Sequence, residues 1–490
     1  MTRTTSAVLL ALALALCWMT AGAAPTPATA NTNTNDDATA ESATSYDACA
    51  NPIVLVTGLG GCVLDFLLTD EYKHLHYECS LVFSRNKWSS GLVRLWPAIE
   101  AVDAIPPYHL RACWEDMMAV HYNETTGRFA NTPGVQVRPR DYGGVTGVDN
   151  LFDIESNWGP GMSAVYEKLI KQLKVTPGYE VGKNIRGAPF DFRLVADDIE
   201  LASMFTDLKN LIEETYNMTR ACSAGPRRVH VMTHSLGGSY WLYFLNTFVD
   251  RAWKDQYIRF TLAVSSPWQG AGKAYRTLIS GDDEGLPGGN IMFLPVEQLM
   301  GGLLWMIPFS NFFGTKTFIQ YADTGASFSS NASDVARLFD SMPGTLRPLV
   351  PFIISKIVEP RSLTVAAPET DIYCIHGSGV VTESFYVYQS ANQTNTNPAE
   401  YREDAVINGT TYLAPNPALL FPLDKSSPFY VDPNQGDGTV ELPSLQYCRN
   451  WIGKNGGKQM VEVDVAGQEH LGILSSAAFL NDVMPLILAP

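Results

Sequence analysis

Short apolar runs alternate along the chain with longer amphipathic stretches. Ile53-Val54-Leu55-Val56 leads into Thr57-Gly58-Leu59-Gly60-Gly61, and Val229 to Met232 leads into Thr233-His234-Ser235-Leu236-Gly237-Gly238. A short β-branched run ending in glycines reads as a buried strand that enters a tight loop. Further strands are expected at Phe260 to Val264, Ile372 to Ile375 and Met460 to Val465, with helices over Gly161 to Leu173, Ile199 to Thr215 and Ser239 to Val249. Alternation of this kind predicts an α/β protein with a mainly parallel sheet covered by helices. Two regions break it: residues 66–120, where Trp88, Trp96 and Trp114 stand among prolines, and residues 268–368, rich in Gly, Phe, Met and Pro. Both read as insertions within one domain spanning 49–490.

The first residues follow another pattern. Arg3, the apolar stretch Ala7 to Met19 and then Ala21-Gly22-Ala23 have the order of a secretory signal peptide, expected over 1–23. Its apolar part is shorter than the roughly 20 residues of a membrane-spanning helix. Residues 24–48 hold mostly Ala, Thr, Asn, Pro and Asp, too few bulky side chains to offset ordering entropy, and read as a flexible leader. The expectation is an exported chain, secreted or lysosomal.

Composition narrows the function. With 46% hydrophobic and 17% charged residues in 490, a large globular core is expected. Lys and Arg number 34 against 50 Asp and Glu, a net charge of −16, which speaks against a nucleic-acid partner. Beyond Cys17 the cysteines are Cys49, Cys62, Cys79, Cys113, Cys222, Cys374 and Cys448, with no C-x-x-C spacing. No metal or cofactor is called for. Asn123, Asn217, Asn331, Asn392 and Asn408 begin N-x-S/T sequons.

Ser235 is the candidate nucleophile. It sits between an expected strand and helix, with Gly237 two residues on, in the arrangement of a nucleophile elbow whose first glycine is replaced by Thr233. A serine needs a base held by a carboxylate, in the chain order serine, acid, histidine. Only His376 and His470 follow Ser235. His376 directly follows a strand and is read as structural. His470, in the loop after the last strand, is the candidate base. Asp437, in Gly436-Asp437-Gly438, is the candidate acid: Asp404, Asp424 and Asp432 read as solvated, and Asp464 is too near His470 in sequence. Backbone N–H groups of Leu59 and Leu236 are the expected oxyanion donors. The glycines around Leu59 lack the Lys-Ser/Thr of a phosphate-binding loop and the spacing of a dinucleotide fold.

At these residues the sequence resembles the lecithin:cholesterol acyltransferase and lysosomal phospholipase A family. Pro52 to Asp65 is similar to its P-G-x-L-G-x-x-L-E segment, and Arg186-Gly187-Ala188-Pro189-Phe190-Asp191-Phe192-Arg193 to its R-G-A-P-Y-D-W-R. Ser265-Ser266-Pro267-Trp268-Gln269-Gly270 and Ser280-Gly281-Asp282-Asp283-Glu284-Gly285 resemble G-A-P-W-G-G and S-G-D-N-Q-G. The likeness implies an α/β-hydrolase core with a membrane-binding or lid insertion at 66–120 and a cap at 268–368. It carries the triad onto Ser235, Asp437 and His470, and implies disulfides Cys79 with Cys113 and Cys374 with Cys448. Cys49 and Cys222 are candidates for a third bridge, leaving Cys62 free. Thr57, Leu59 and Phe192 depart from the family pattern.

The resemblance implies a serine-dependent phospholipase or acyltransferase that takes a fatty acyl group from a glycerophospholipid and passes it to water or a lipid alcohol such as a sterol. Its partner is then a bilayer or lipoprotein surface. Trp88, Leu92 and Trp96, among other apolar residues with Lys87 and Arg94 interspersed, are candidate membrane contacts. A soluble esterase or peptidase of the same fold, or a non-catalytic lipid-binding relative, remain the alternatives.

Overall fold

In a computed structural model of the chain, six strands build the central sheet: β1 Ile53–Val56, β2 Ile185–Gly187, β3 Val229–His234, β4 Ile258–Val264, β5 Ile372–Ser378 and β6 Met460–Ala466. The structure describes residues 46–73, 93–97, 108–152, 164–282, 290–308, 311–321, 324–341, 344–358, 360, 365–390, 401–407, 410–415 and 436–489. The expected signal peptide and nearly all of the leader, with Cys79, Trp88 and Leu92, lie outside them.

The spatial order is β6-β5-β4-β3-β1-β2, and every pairing is parallel. All residues of β1 and β3 are buried, because helices cover both faces; β1 is accordingly a continuous apolar run, while β3 buries His230, Thr233 and His234 among its apolar residues. A parallel sheet brings the carboxyl ends of its strands to one edge, so the loops after β1, β3, β5 and β6 gather there.

The covering helices include α1 Glu167–Val175, α2 Asp198–Met218, α3 Leu236–Thr247, α4 Gly272–Ser280 and α5 Ala477–Leu488. Asp197 caps α2 by accepting from the Ile199 and Glu200 N–H groups at 3.0 and 3.1 Å, and Ser476 caps α5 through the Phe479 N–H. The helix expected from Gly161 starts only at Glu167. Val165 and Tyr166 just before it are turned into the core, and the Tyr166 hydroxyl donates to the Val56 carbonyl at 2.8 Å. That tie to the end of β1 overrides the helical period. β2 was not anticipated, since three residues carry too little pattern to read.

The irregular regions form sheets of their own. Leu64–Leu68 pairs antiparallel with both Val93–Trp96 and Val135–Pro139, and Val120–Asn123 pairs with Arg128–Asn131. The first irregular region therefore continues to Pro139, past the expected boundary at 120. A five-stranded sheet runs Ala326–Ser329, Thr317–Tyr321, Tyr386–Ser390, Thr410–Pro415, Tyr401–Ile407. It draws on chain from both sides of β5, where one continuous cap at 268–368 had been expected.

Cys49 and Cys222 are joined, with Cα atoms 4.9 Å apart, and Cys62 is free. Cys113 is also disulfide-bonded. The implied Cys374–Cys448 bridge is not present: both are buried thiols, hydrogen-bonded to one another within an apolar cluster that includes Trp268 and Trp451. Burial raises the Cys374 thiol far above its usual pKa, so it packs as a small neutral side chain against Cys448.

Candidate active site

β3 delivers Ser235 to the sheet edge in a backbone conformation, φ 53° and ψ −130°, that an L-residue adopts only under constraint. The constraint is tight packing. A Cβ at Gly237 would stand 2.2 Å from the Thr57 carbonyl oxygen, and one at Gly58 would stand 2.7 Å from the Ser235 Cβ. Only glycine at these two positions lets the loop after β1 run against the turn after β3. Leu236 is the first residue of α3, and the Leu59 and Leu236 side chains both abut Gly302. The apolar residue at 59 is thus accounted for by packing.

The loop after β6 carries His470 to the same place. Its Nε2 lies 2.9 Å from the Ser235 Oγ, and its Nδ1 lies 2.8 Å from the Asp437 Oδ2. Asp437 is fully buried; its other carboxylate oxygen accepts from the Val440 and Thr439 N–H groups at 2.9 and 3.2 Å. Burial by itself raises the Asp437 carboxyl, but His470 and these backbone donors outweigh it and hold the group below the ordinary aspartate value. Asp437 is therefore an anion that orients the imidazole.

Two further buried charged side chains tie neighbouring segments together. Glu441, 1% exposed, accepts from the Gly272 N–H at the start of α4 with both oxygens at 3.1 Å and pairs with Lys316 at 3.3 Å. It anchors the far end of the loop that begins with Asp437. Arg193, fully buried, grips Asp191 through Nε and Nη2 at 2.9 and 2.7 Å and donates to the Met118 carbonyl and the Asn131 side chain. It joins the segment after β2 to the helix Tyr108–Met118 and the neighbouring hairpin. The motif around Arg193 is visible in the sequence but its distant partners are not, and the only sequence signal for Glu441 is an acid four residues after Asp437.

Ser235, His470 and Asp437 open onto a cavity of about 1090 Å³ whose lining includes Leu59, Trp96, Lys273, Leu303 and Met306. Trp96, expected at a membrane surface, is instead 7% exposed. Its Nε1–H donates to the Gly60 carbonyl at 2.8 Å, and its ring meets Phe192 edge-on at 6.1 Å. Pairing with Leu64–Leu68 draws it inward against the loop after β1. His376 lies 2.9 Å from Glu462 and joins neither Ser235 nor Asp437. Among the described residues no group of three His, Cys, Asp or Glu side chains is arranged to hold a metal, and no helix is long and apolar enough to cross a membrane.

A serine on a strained strand-to-helix turn, at the carboxyl edge of a parallel sheet with helices on both faces, defines an α/β-hydrolase. The family model for lecithin:cholesterol acyltransferase matches residues 93–341 and 353–478, and the chain belongs to that family. It is 27% identical to the lysosomal phospholipase A and acyltransferase of Bos taurus, over 90% of this chain and 92% of that one. It is 28% identical to lecithin-cholesterol acyltransferase-like 1 of Arabidopsis thaliana, over 89% of each. Against the phosphatidylcholine-sterol acyltransferase of Gallus gallus the identity is 28%, over 74% of this chain and 75% of that one.

Proposed function

We propose that the protein is a serine-dependent phospholipase and acyltransferase that acts in the secretory pathway on glycerophospholipid esters. The observation that carries this is the unbroken series from the Asp437 carboxylate through the His470 imidazole to the Ser235 hydroxyl, with links of 2.8 and 2.9 Å, facing a largely apolar cavity. His470 Nε2 takes the Ser235 proton as Oγ attacks the acyl carbonyl. Asp437 holds Nδ1–H and stabilises the imidazolium that forms. The Leu59 and Leu236 N–H groups face the developing oxyanion, a contribution in which one donor is worth about 100- to 1,000-fold in rate.

Collapse of the tetrahedral intermediate expels the lysolipid alcohol, which takes the proton from His470, and leaves an acyl ester on Oγ. Water or a lipid alcohol then enters, gives its proton to His470 and carries the acyl group away. The family relationship and the names of its relatives support phospholipid as donor, and a sterol as acceptor besides water. The 66–120 and 268–368 segments serve in this reading as lid and cap, with residues 1–23 as the export signal.

The test is to label the protein with a fluorophosphonate and to incubate it with phosphatidylcholine vesicles containing sterol and ceramide, reading products by mass spectrometry. Labelling at Ser235 with release of fatty acid, or of acylated sterol or ceramide, is expected. An unlabelled Ser235, or turnover that survives Ser235→Ala, sinks the reading.

A further inference from the structure

His234 ends β3 beside the nucleophile, is 4% exposed, and has no part in the proton path above. Its Nε2 lies 2.9 Å from the backbone carbonyl oxygen of His470, and the two imidazole rings stand 4.9 Å apart at 51°. A carbonyl only accepts, so this bond requires the proton on Nε2 and fixes the tautomer of His234. Burial, reinforced by the nearby His470, lowers the His234 pKa to about 3, so the ring is neutral wherever His470 works as a base. His470 is thereby gripped on both sides of its α-carbon: its N–H donates to the Asp437 carbonyl at 2.8 Å, and its carbonyl accepts from His234.

We infer that His234 is a positioning residue for the acyl-transfer reaction. One turn of chain supplies the nucleophile and, through the preceding side chain, holds the backbone of the base that activates it. The separation between Oγ and Nε2 is then set within the elbow and does not depend on the long path from Ser235 to His470. Because His234 stays neutral, the proton taken from Ser235 remains on His470, the one imidazole that faces both the leaving group and Asp437. The inference rests on the proposed roles of Ser235, Asp437 and His470.

The experiment compares His234→Gln, whose amide nitrogen reaches about as far as Nε2 and still donates, with His234→Met, similar in size and unable to donate. Both are assayed on a soluble p-nitrophenyl ester and by the rate of fluorophosphonate labelling, with Tm as the control for folding. In His234→Met, kcat and the labelling rate are expected to fall about 100-fold, the scale of an angstrom of misplacement, with KM within twofold of the parent. His234→Gln is expected to recover most of the loss. A folded His234→Met with parental kcat overturns the inference, as does a folded His234→Gln no faster than His234→Met.

A readout without substitution is the ¹⁵N spectrum of histidine-labelled protein at neutral pH. His234 protonated on Nε2 alone is expected; protonation on Nδ1 alone overturns the inference. Parental protein that labels and loses activity in Ser235→Ala, combined with an unaffected His234→Met, would reject the positioning role alone. Activity persisting in Ser235→Ala would reject the triad itself.

Discussion

Among the described residues, two histidines, His376 buried and His470 partly buried, sit within hydrogen-bonding reach of a carboxylate, and they differ in what the other ring nitrogen faces. His470 Nδ1 faces Asp437, and its other nitrogen faces a hydroxyl in a cavity. His376 Nε2 faces Glu462 at 2.9 Å, but its Nδ1 lies 3.2 Å from the carbonyl of the next residue, Gly377. Glu462 is also held by both Nε and Nη2 of Arg449. Burial pushes the Glu462 carboxyl up, and Arg449 and His376 more than offset this, so it stays ionised below its usual value. One carboxylate is thus devoted to orienting a base, while the other closes an ion pair at an edge strand. A histidine–carboxylate contact is structural until a third group with access to substrate completes it.

The comparison breaks most sharply by substitution. Ser235→Ala or His470→Ala is expected to lower kcat on a phospholipid or a soluble ester by up to about 10⁶-fold, the scale seen when either member of such a unit is removed. His376→Gln should change kcat less than about threefold while lowering Tm; a loss comparable to that of His470→Ala would invert the assignment. Asp437→Asn should cost about 10⁴-fold, because the amide favours the wrong imidazole tautomer. Glu462→Gln should leave the rate near the parent.

Glu441→Gln tests whether the acid's loop needs its anchor. Loss of the charged acceptor is expected to destabilise the fold by about 1.5–3 kcal/mol in urea denaturation, with a smaller fall in kcat than for Asp437→Asn. His230 extends the comparison to a histidine with no carboxylate. Neither of its ring nitrogens has a hydrogen-bond partner, and it packs against Phe260 with ring centres 4.1 Å apart. Burial, aided by Arg259 and Arg228, lowers its pKa from 6.5 to about 3. Below about pH 6.5 the unfolded chain binds a proton that the folded one refuses until about pH 3, so stability is lost as pH falls through that window. At pH 5 the loss is on the order of 2 kcal/mol. His230→Phe should flatten that part of the stability-against-pH curve, read by chemical denaturation at pH 7 and pH 5, and leave turnover unchanged.

How much of this was legible beforehand depended on the range of the interactions. The strands at Ile53, Val229, Phe260 and Ile372 announce themselves because burial in a parallel sheet leaves short, mostly apolar runs, and the edge strand at Met460 does so through valines that alternate with Glu462 and Asp464. The elbow is local, and so are the glycines beside Asp437, so their positions could be read from neighbouring residues. Trp96 could not: its burial depends on pairing with Leu64–Leu68 and on a bond to Gly60, 36 residues away. Glu441 and Arg193 act on partners at comparable or greater distances, Gly272 and Met118. The Cys374–Cys448 bridge was carried over from relatives, and nothing in the spacing of those residues distinguishes a bond from two packed thiols.

The five-stranded sheet has a consequence for anyone wishing to transplant it. Ile319 pairs with Tyr386 in parallel, and the intervening chain dives through the middle of the molecule as β5 before returning. Tyr388 fastens the returning portion to Ser280 at 2.6 Å. This roof is therefore no detachable cassette. Grafting it onto another scaffold requires two splice junctions flanking a load-carrying beam, and any tilting of the roof must flex both junctions in concert.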